Sequence, residues 1–221
     1  LDVTHAVVVF DEDGAKERVD KYPGYKKNRD NNWETMKEEE TPFSQEEDIK
    51  RALDYMGIKY IYSKGTEADD YIASIALDYK DKGDVVISSF DSDFFQLIDD
   101  KISILRYRGK ASVLWNKAKF YSEFGFSPSF YSLYKAIVGD SADNIKGVKG
   151  MGKKRTEAFI REYEEKGSYF ESNLSGSFKQ KLNEEKDRIR LNLDLIKLKK
   201  VEIDTLCNEF AFNKERVEEG N

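Results

Sequence analysis

At 221 residues, with 39% hydrophobic and 13% aromatic side chains, the chain can build one substantial core with a smaller lobe and carries too much apolar material for a disordered polymer. A single cysteine, Cys207, excludes an intrachain disulfide framework and fits a reducing cytoplasm, and no run of about 18 apolar residues is present to cross a membrane. The net charge of −6 argues against a uniformly basic nucleic-acid binder, but the charge is polarised: residues 64–100 carry three lysines against ten acids, whereas 144–161 carry six Lys or Arg against Glu157 alone.

In chain order, HAVVVF (5–10) is a β-branched apolar run stopped by DEDG and reads as a buried strand. Residues 21–40 are polar, flecked with aromatics and without periodicity, which predicts an exposed segment. In SQEEDIKRALDYMG, Ser44 and Glu47 have capping-box spacing, and Ile49, Ala52, Leu53 and Met56 keep a helical period up to Gly57. IKYIYS (58–63) reads as a strand, TEADDYIASIALDY as a helix and DVVISS (84–89) as a third strand. KISILRYRG and ASVLW read as a hairpin, and the remainder as mostly helical. The alternation predicts an α/β fold with a mostly parallel central sheet flanked by helices, spanning 1–128, and a C-terminal helical lobe over 129–221.

In parallel sheets, ligands gather outside the carboxyl ends of the strands. Asp11 follows the first strand; Glu67, Asp69 and Asp70 follow the second; Asp91 and Asp93 follow the third; Asp140 and Asp143 precede the basic stretch. Any one of these acids has a bland reading as a helix cap or turn residue, since negative charge is favoured in the first turn of a helix. Together at one edge they would repel one another unless cations neutralised them. An all-carboxylate set without a Ca²⁺-loop spacing or Cys and His clusters favours Mg²⁺. Two such ions about 4 Å apart suit phosphodiester hydrolysis. His5 is the only histidine, so Ser-His-Asp or Cys-His catalysis has almost no material.

NIKGVKGMGKKR places Gly147, Gly150 and Gly152 among Lys146, Lys149, Lys153, Lys154 and Arg155 ahead of a helix. A Gly-rich loop alone is a weak signal, and a basic solvated turn is the bland alternative. With its cations the stretch resembles a helix-hairpin-helix, over about 140–160, that grips duplex backbone without reading bases. Tyr22, Tyr25, Lys26, Lys27 and Arg29 mix rings and cations in the manner of single-strand binders. Phe94, Phe95, Tyr131 and Tyr134 read as core.

FDEDGAKERVDKYPGYKKNR, GTEADDYIASIA, SSFDSDFFQLI and KAIVGDSADNIKGVKGMGKKR, in this order, resemble the bacterial and bacteriophage 5′-nuclease family: flap endonucleases and the 5′→3′ exonuclease domain of DNA polymerase I. The resemblance implies a PIN-like 5′-nuclease fold and a two-metal enzyme that cuts branched DNA near the junction of single strand and duplex. By that match, Asp11, Glu67, Asp69, Asp70, Asp91 and Asp93 form a first metal cluster, and Asp140 and Asp143 a second, for two Mg²⁺ ions with Mn²⁺ as a substitute. Lys26 and Arg29 match a basic pair that contacts the scissile phosphate. Tyr25 matches a ring that stacks on a base, and Arg18 a further DNA-binding position. Gly147, Gly150 and Gly152 match the hairpin, where family members hold K⁺ through backbone carbonyls. An arch segment is implied over about 22–48, although ETMKEEE is short and acidic for threading a flap.

Family members begin with an Asp-bearing strand and a helix before the strand matched here by HAVVVF. The expectation is therefore that this sequence is a fragment of a longer protein; a degraded relative is the alternative. A monomer acting on 5′-flap, branched or nicked DNA is expected, with a polymerase domain or partner as a further possibility. Two other readings stand beside it: a non-catalytic DNA-junction binder, and a PIN-type ribonuclease, against which the hairpin argues.

Overall fold

The computed structural model describes residues 3–12, 14–29, 37, 41–167, 175–203 and 210–211. Most of the acidic part of the expected arch, 30–36 and 38–40, and Cys207 lie outside the described residues. Strand β1 (Val7–Phe10) runs parallel to β2 (Lys59–Tyr62), from Val7 opposite Lys59 to Phe10 opposite Tyr62. The aromatic pair at the end of this register stacks at 5.4 Å. Between these strands lie a short helix α1 (Lys16–Lys21) and α2 (Glu46–Met56), which stops at Gly57 with φ +68°, a backbone state that costs glycine little. The Ser44/Glu47 capping box is not formed. Pro42–Gln45 make a 3₁₀ turn that feeds directly into α2, and Ser44 Oγ donates to the Thr41 carbonyl at 2.8 Å instead.

After β2 comes α3 (Ala68–Tyr79), then β3 (Val85–Ser88), a 3₁₀ helix (Ser92–Leu97), β4 (Ile102–Arg106) and β5 (Val113–Trp115). β3 and β4 are parallel, and β5 closes the expected hairpin antiparallel to β4. Hydrogen bonding divides these five strands into two sheets, β1–β2 and β3–β4–β5. α3 packs against both β1 and β3 and so ties the two together. Helices α4 (Lys117–Phe124), α5 (Tyr131–Val138), α6 (Lys153–Lys166), α7 (Gly176–Glu184) and α8 (Lys186–Ile196) make the helical lobe, interrupted by a two-residue ladder of β6 (Gly139–Asp140) and β7 (Ile145–Lys146). None of the described helices is long and apolar enough to cross a membrane.

One core joins the sheet to the lobe. Ile87, Ile102 and Ile104 from the sheet meet Phe94 and Phe95 from the 3₁₀ helix, Phe120 and Phe126 around α4, and Ile137, Met151 and Ile160 from the lobe. Phe95 packs against Trp115 at 4.5 Å and edge-on to Phe120 and Tyr131 at 5.8 and 5.5 Å. Each such ring removed from water stabilises the fold by about 1.5–3 kcal/mol. Because this packing also clamps the 3₁₀ helix capped by Asp91, the core sets the position of the acids at the strand ends.

Candidate metal centre

Asp91 leaves β3 with its carboxylate accepting the Asp93 N–H at 2.8 Å, while its own N–H donates to Ser89 Oγ at 3.0 Å. This turn aims Asp93 inward, where carboxylate oxygens of Asp93, Asp140 and Asp143 lie within 4.8 Å of one another. Asp140 ends β6, and Asp143 lies in the turn from β6 to β7. Lys135, buried on α5, ion-pairs with both Asp93 and Asp140. Burial opposes its charge, yet the two carboxylates outweigh it and hold the ammonium above its ordinary pKa. Burial pushes the Asp93 carboxyl up to about 6 even with Lys135 beside it. For Asp140, burial would raise the carboxyl, but Lys135 and the Ala142 and Asp143 N–H groups keep it low.

The EADD stretch splits into three roles. Glu67, at the cap position of α3 and 5% exposed, accepts from Arg18 Nη1 at 2.7 Å and Tyr25 Oη at 3.1 Å, and pairs with Lys26. Asp69 has no hydrogen-bond partner among the described residues, and burial followed by the charge of Asp91 pushes its carboxyl up to about 7. Asp70 is fully buried and saturated: Oδ1 accepts from Arg18 Nη2 and the Lys199 N–H, both at 2.8 Å, and Oδ2 from Arg18 Nη1 at 2.7 Å and Thr66 Oγ1 at 2.6 Å. Burial favours the neutral acid, but these donors together hold it below the ordinary range. Asp70 was expected as a metal ligand; in this arrangement its oxygens are committed to the fold, because the first turn of α3 points it away from the cleft toward α1 and the chain after α8.

Two further residues expected at DNA are buried in this structure. Arg18, expected at DNA, is 4% exposed, and besides the two acids its Nε donates to the Leu195 carbonyl at 2.9 Å, so it stitches α1, α3 and α8 together. Tyr25, expected to stack on a base, is 6% exposed in an apolar cluster with Ala136, Ile145, Leu195 and Ile196, and presents only its hydroxyl to Glu67 and, at 3.4 Å, to Asp143. Burial and those carboxylates keep its phenol protonated, above its ordinary pKa. Lys26 lies beside this group with φ +53°, its Nζ 5.1 Å from the Tyr25 ring centroid, and Arg29 Nη2 donates to Asp143 Oδ1 at 2.6 Å. Asp11, exposed at the end of β1, accepts from Ser63 Oγ at 3.2 Å.

The hairpin after Asp143 is set by close backbone approach. A Cβ on Gly147 would sit 2.1 Å from the Val138 carbonyl oxygen, and one on Gly139 2.4 Å from the Gly147 nitrogen. The Val148 N–H donates to the Ile137 carbonyl at 2.8 Å, and Val148 and Met151 are buried as plugs. Gly147 therefore serves contact with α5. Gly150 adopts φ +89°, and Gly152 begins α6 with open space around it. Lys146, Lys149, Lys153, Lys154 and Arg155 are exposed along this turn. Arg155 reaches the Gly150 carbonyl and stacks 4.1 Å from the Phe178 ring, and Thr156 Oγ1 donates to the Met151 carbonyl at 3.2 Å.

Lys135 was not singled out from the sequence. Its signal is a lone lysine within the apolar run YSLYKAIV, five residues before Asp140.

An α/β fold with carboxylates gathered at strand ends and a basic helical hairpin behind them is that of a 5′ nuclease. Residues 1–125 match the 5′-3′ exonuclease N-terminal, resolvase-like domain, and residues 126–218 the C-terminal SAM fold of the same family. The chain belongs to the 5′-3′ exonuclease family. It is 31% identical over 196 residues, 87% of its length, to the thermostable DNA polymerase I of Thermus aquaticus, of which it covers 22%. It is 31% identical over 209 residues, 90% of its length, to the 5′-3′ exonuclease of Mycoplasmopsis pulmonis, of which it covers 67%. The structure resembles that of the bacteriophage T5 D15 flap endonuclease in complex with DNA and metal ions, with a TM-score of 0.67 and 27% identity over 87% of this chain and 73% of that one. The chain thus spans between about a sixth and about two thirds of the curated relatives it matches.

Proposed function

We propose that this chain is a structure-selective 5′ nuclease, a flap endonuclease and 5′→3′ exonuclease that hydrolyses DNA phosphodiesters at single-strand/duplex junctions in replication and repair, in the cytoplasm. The observation that carries the reading is the convergence of Asp93, Asp140 and Asp143 within 4.8 Å, beside an Asp69 whose charge is disfavoured by burial and then by Asp91. All donors are carboxylate oxygens, the set that suits Mg²⁺, with Mn²⁺ as a substitute. Asp93, Asp140 and Asp143 would hold one ion, and Asp69, Asp91, Glu67 and Asp11 the other. The ions supply Lewis-acid activation of a water and neutralise charge on the leaving oxygen.

The protein's own groups do the rest. Lys26 and Arg29, the second half exposed, are tethered to Glu67 and Asp143 and are placed to hold a non-bridging phosphate oxygen of the substrate. Lys135 holds Asp93 and Asp140 together. The exposed cations of the 146–155 hairpin are suited to duplex phosphates, and we divide the labour accordingly between a nuclease core, 1–128, and a DNA-gripping lobe, 129–221. Of the backbone carbonyls that a K⁺ ion at the hairpin could use, those of Gly150 and Met151 already accept from Arg155 and Thr156.

The test is cleavage of a 5′-labelled flap DNA with Mg²⁺, beside EDTA and Asp93→Ala. Junction cutting that needs both the ion and Asp93 is expected. Binding without cutting in Mg²⁺ and Mn²⁺ would replace this reading with the junction binder, and cutting confined to single-stranded RNA with the ribonuclease.

A further inference from the structure

Beyond the acids and the basic hairpin, a second group of side chains stands at the same edge of the sheet. β3 and β4 run parallel, so Phe90 and the turn RYRGK (106–110) leave their strands on the side that carries Asp91. The Ser89 N–H donates to the Leu105 carbonyl at 3.1 Å and ties the two exits together. Phe90 and Tyr107 are 53% and 65% exposed. The Arg108 guanidinium lies 5.0 Å from the Phe90 ring centroid. Arg106 stacks on Phe95 and Trp115 at 4.6 and 5.5 Å, with its Nε buried and lacking a hydrogen-bond partner.

Among the described residues, Arg106, Arg108 and Lys110 form no ion pair, in a chain with 43 acids to 37 Lys and Arg. Uncompensated cations interleaved with exposed rings beside an acidic centre are complementary to a polyanion with free aromatic faces. Duplex bases offer no such faces, because they are stacked on one another; unpaired bases do.

We propose that Phe90, Tyr107, Arg108 and Lys110 form a platform for single-stranded DNA next to the metal centre, the rings stacking on bases of the unpaired segment and the cations holding its phosphates. This rests on the nuclease reading and names how that site would tell a single strand from a duplex.

The experiment measures fluorescence anisotropy of labelled oligothymidylate and of a blunt duplex in EDTA at low salt. It compares the full chain with Phe90→Ala, Tyr107→Ala and Arg108→Ala, with Tyr121→Ala as an exposed-ring control on α4 and thermal unfolding as a check of folding. Stacking losses on truncation translate to roughly 5- to 150-fold weaker oligothymidylate binding for the Phe90 and Tyr107 variants. Duplex affinity should stay within about twofold, and Tyr121→Ala should change neither, on the expectation that stacking is specific to unpaired bases. Arg108→Ala should also lower the salt slope by about one. Oligothymidylate binding that is absent in the full chain, unchanged by all three substitutions, or lost in step with duplex binding overturns the proposal. If the full chain cuts flap DNA in Mg²⁺ while these substitutions leave single-strand binding intact, the platform fails and the nuclease reading stands. If it cuts nothing yet the ring variants lose single-strand binding, the nuclease reading fails and the platform stands.

Discussion

Asp69 and Asp70 are neighbours in sequence with opposite physical situations, and replacing each by asparagine separates structure from metal binding. Asp70→Asn removes a charge that accepts two hydrogen bonds from Arg18, one from Thr66 and one from the Lys199 N–H, and it turns an N–H₂ group toward donors. Arg18, 4% exposed, would keep Glu67, the Leu195 carbonyl and a neutral bond to the remaining amide oxygen at 70. Charge-assisted hydrogen bonds contribute about 1.5–3 kcal/mol each, but their sum overcounts because removing the acid also removes its desolvation cost. Breaking a buried pair from one side costs about 3–5 kcal/mol. For a chain of this size that lowers Tm by about 6–20 °C. Asp69→Asn removes a carboxylate that is penalised by burial, repels Asp91 and has no hydrogen-bond partner among the described residues, so in EDTA it should leave stability unchanged or raised. The assay is urea and thermal unfolding of both variants in EDTA, then with Mg²⁺. An Asp70→Asn protein as stable as the parent in EDTA, losing only the stabilisation that Mg²⁺ adds, would refute the structural assignment and return Asp70 to the ligand set.

Stability of the metal-free protein should pass through a maximum near pH 4–5. Asp69 and Asp93 have folded pKa values of about 7 and 6, above the ordinary 3.8, so the stability tied to their retained protons is present at low pH and is lost as pH rises through that window. Asp70, Asp140 and Glu17, the last held at about 2 by Lys199 and Lys21, are lowered, so their contribution is present above the ordinary range and lost as pH falls. Tm measured in EDTA from pH 3 to 8 checks this; a monotonic rise from pH 5 to 8 contradicts it, and Mg²⁺ should raise Tm more at pH 7.5 than at pH 5. Gly147→Ala, whose Cβ would lie 2.1 Å from the Val138 carbonyl oxygen, should destabilise by more than the roughly 1 kcal/mol gained when glycine freedom is removed at a compatible site, and should weaken duplex binding. Gly152→Ala, with open space around it, should leave duplex affinity within about twofold by the same reasoning; equal effects of the two substitutions would count against the hairpin's packing role.

Local pattern was enough for the strands VVVF, KYIY and VVIS, for the helix after EADD and for the β4–β5 hairpin, since alternation, β-branching and helical spacing are written in neighbouring residues. It also marked the acids, because carboxylates at strand ends have a stereotyped place in α/β folds. The division of EADD between a cleft acid, Asp69, and two acids bound by Arg18, Glu67 and Asp70, was not legible, because helix phase and the distant partners Arg18 and Lys199 decide which way each carboxylate faces. Likewise Tyr25 reads as an exposed ring from its polar surroundings, yet it is buried by Leu195 and Ile196, which lie about 170 residues away in sequence. Lys135 looks like an interruption of an apolar helix until α5 brings it between Asp93 and Asp140. Sequence by itself determined the elements and the inventory of charges. Tertiary packing alone decided which charges are spent on one another and which remain open at the cleft, because burial and pairing depend on contacts between residues far apart in the chain.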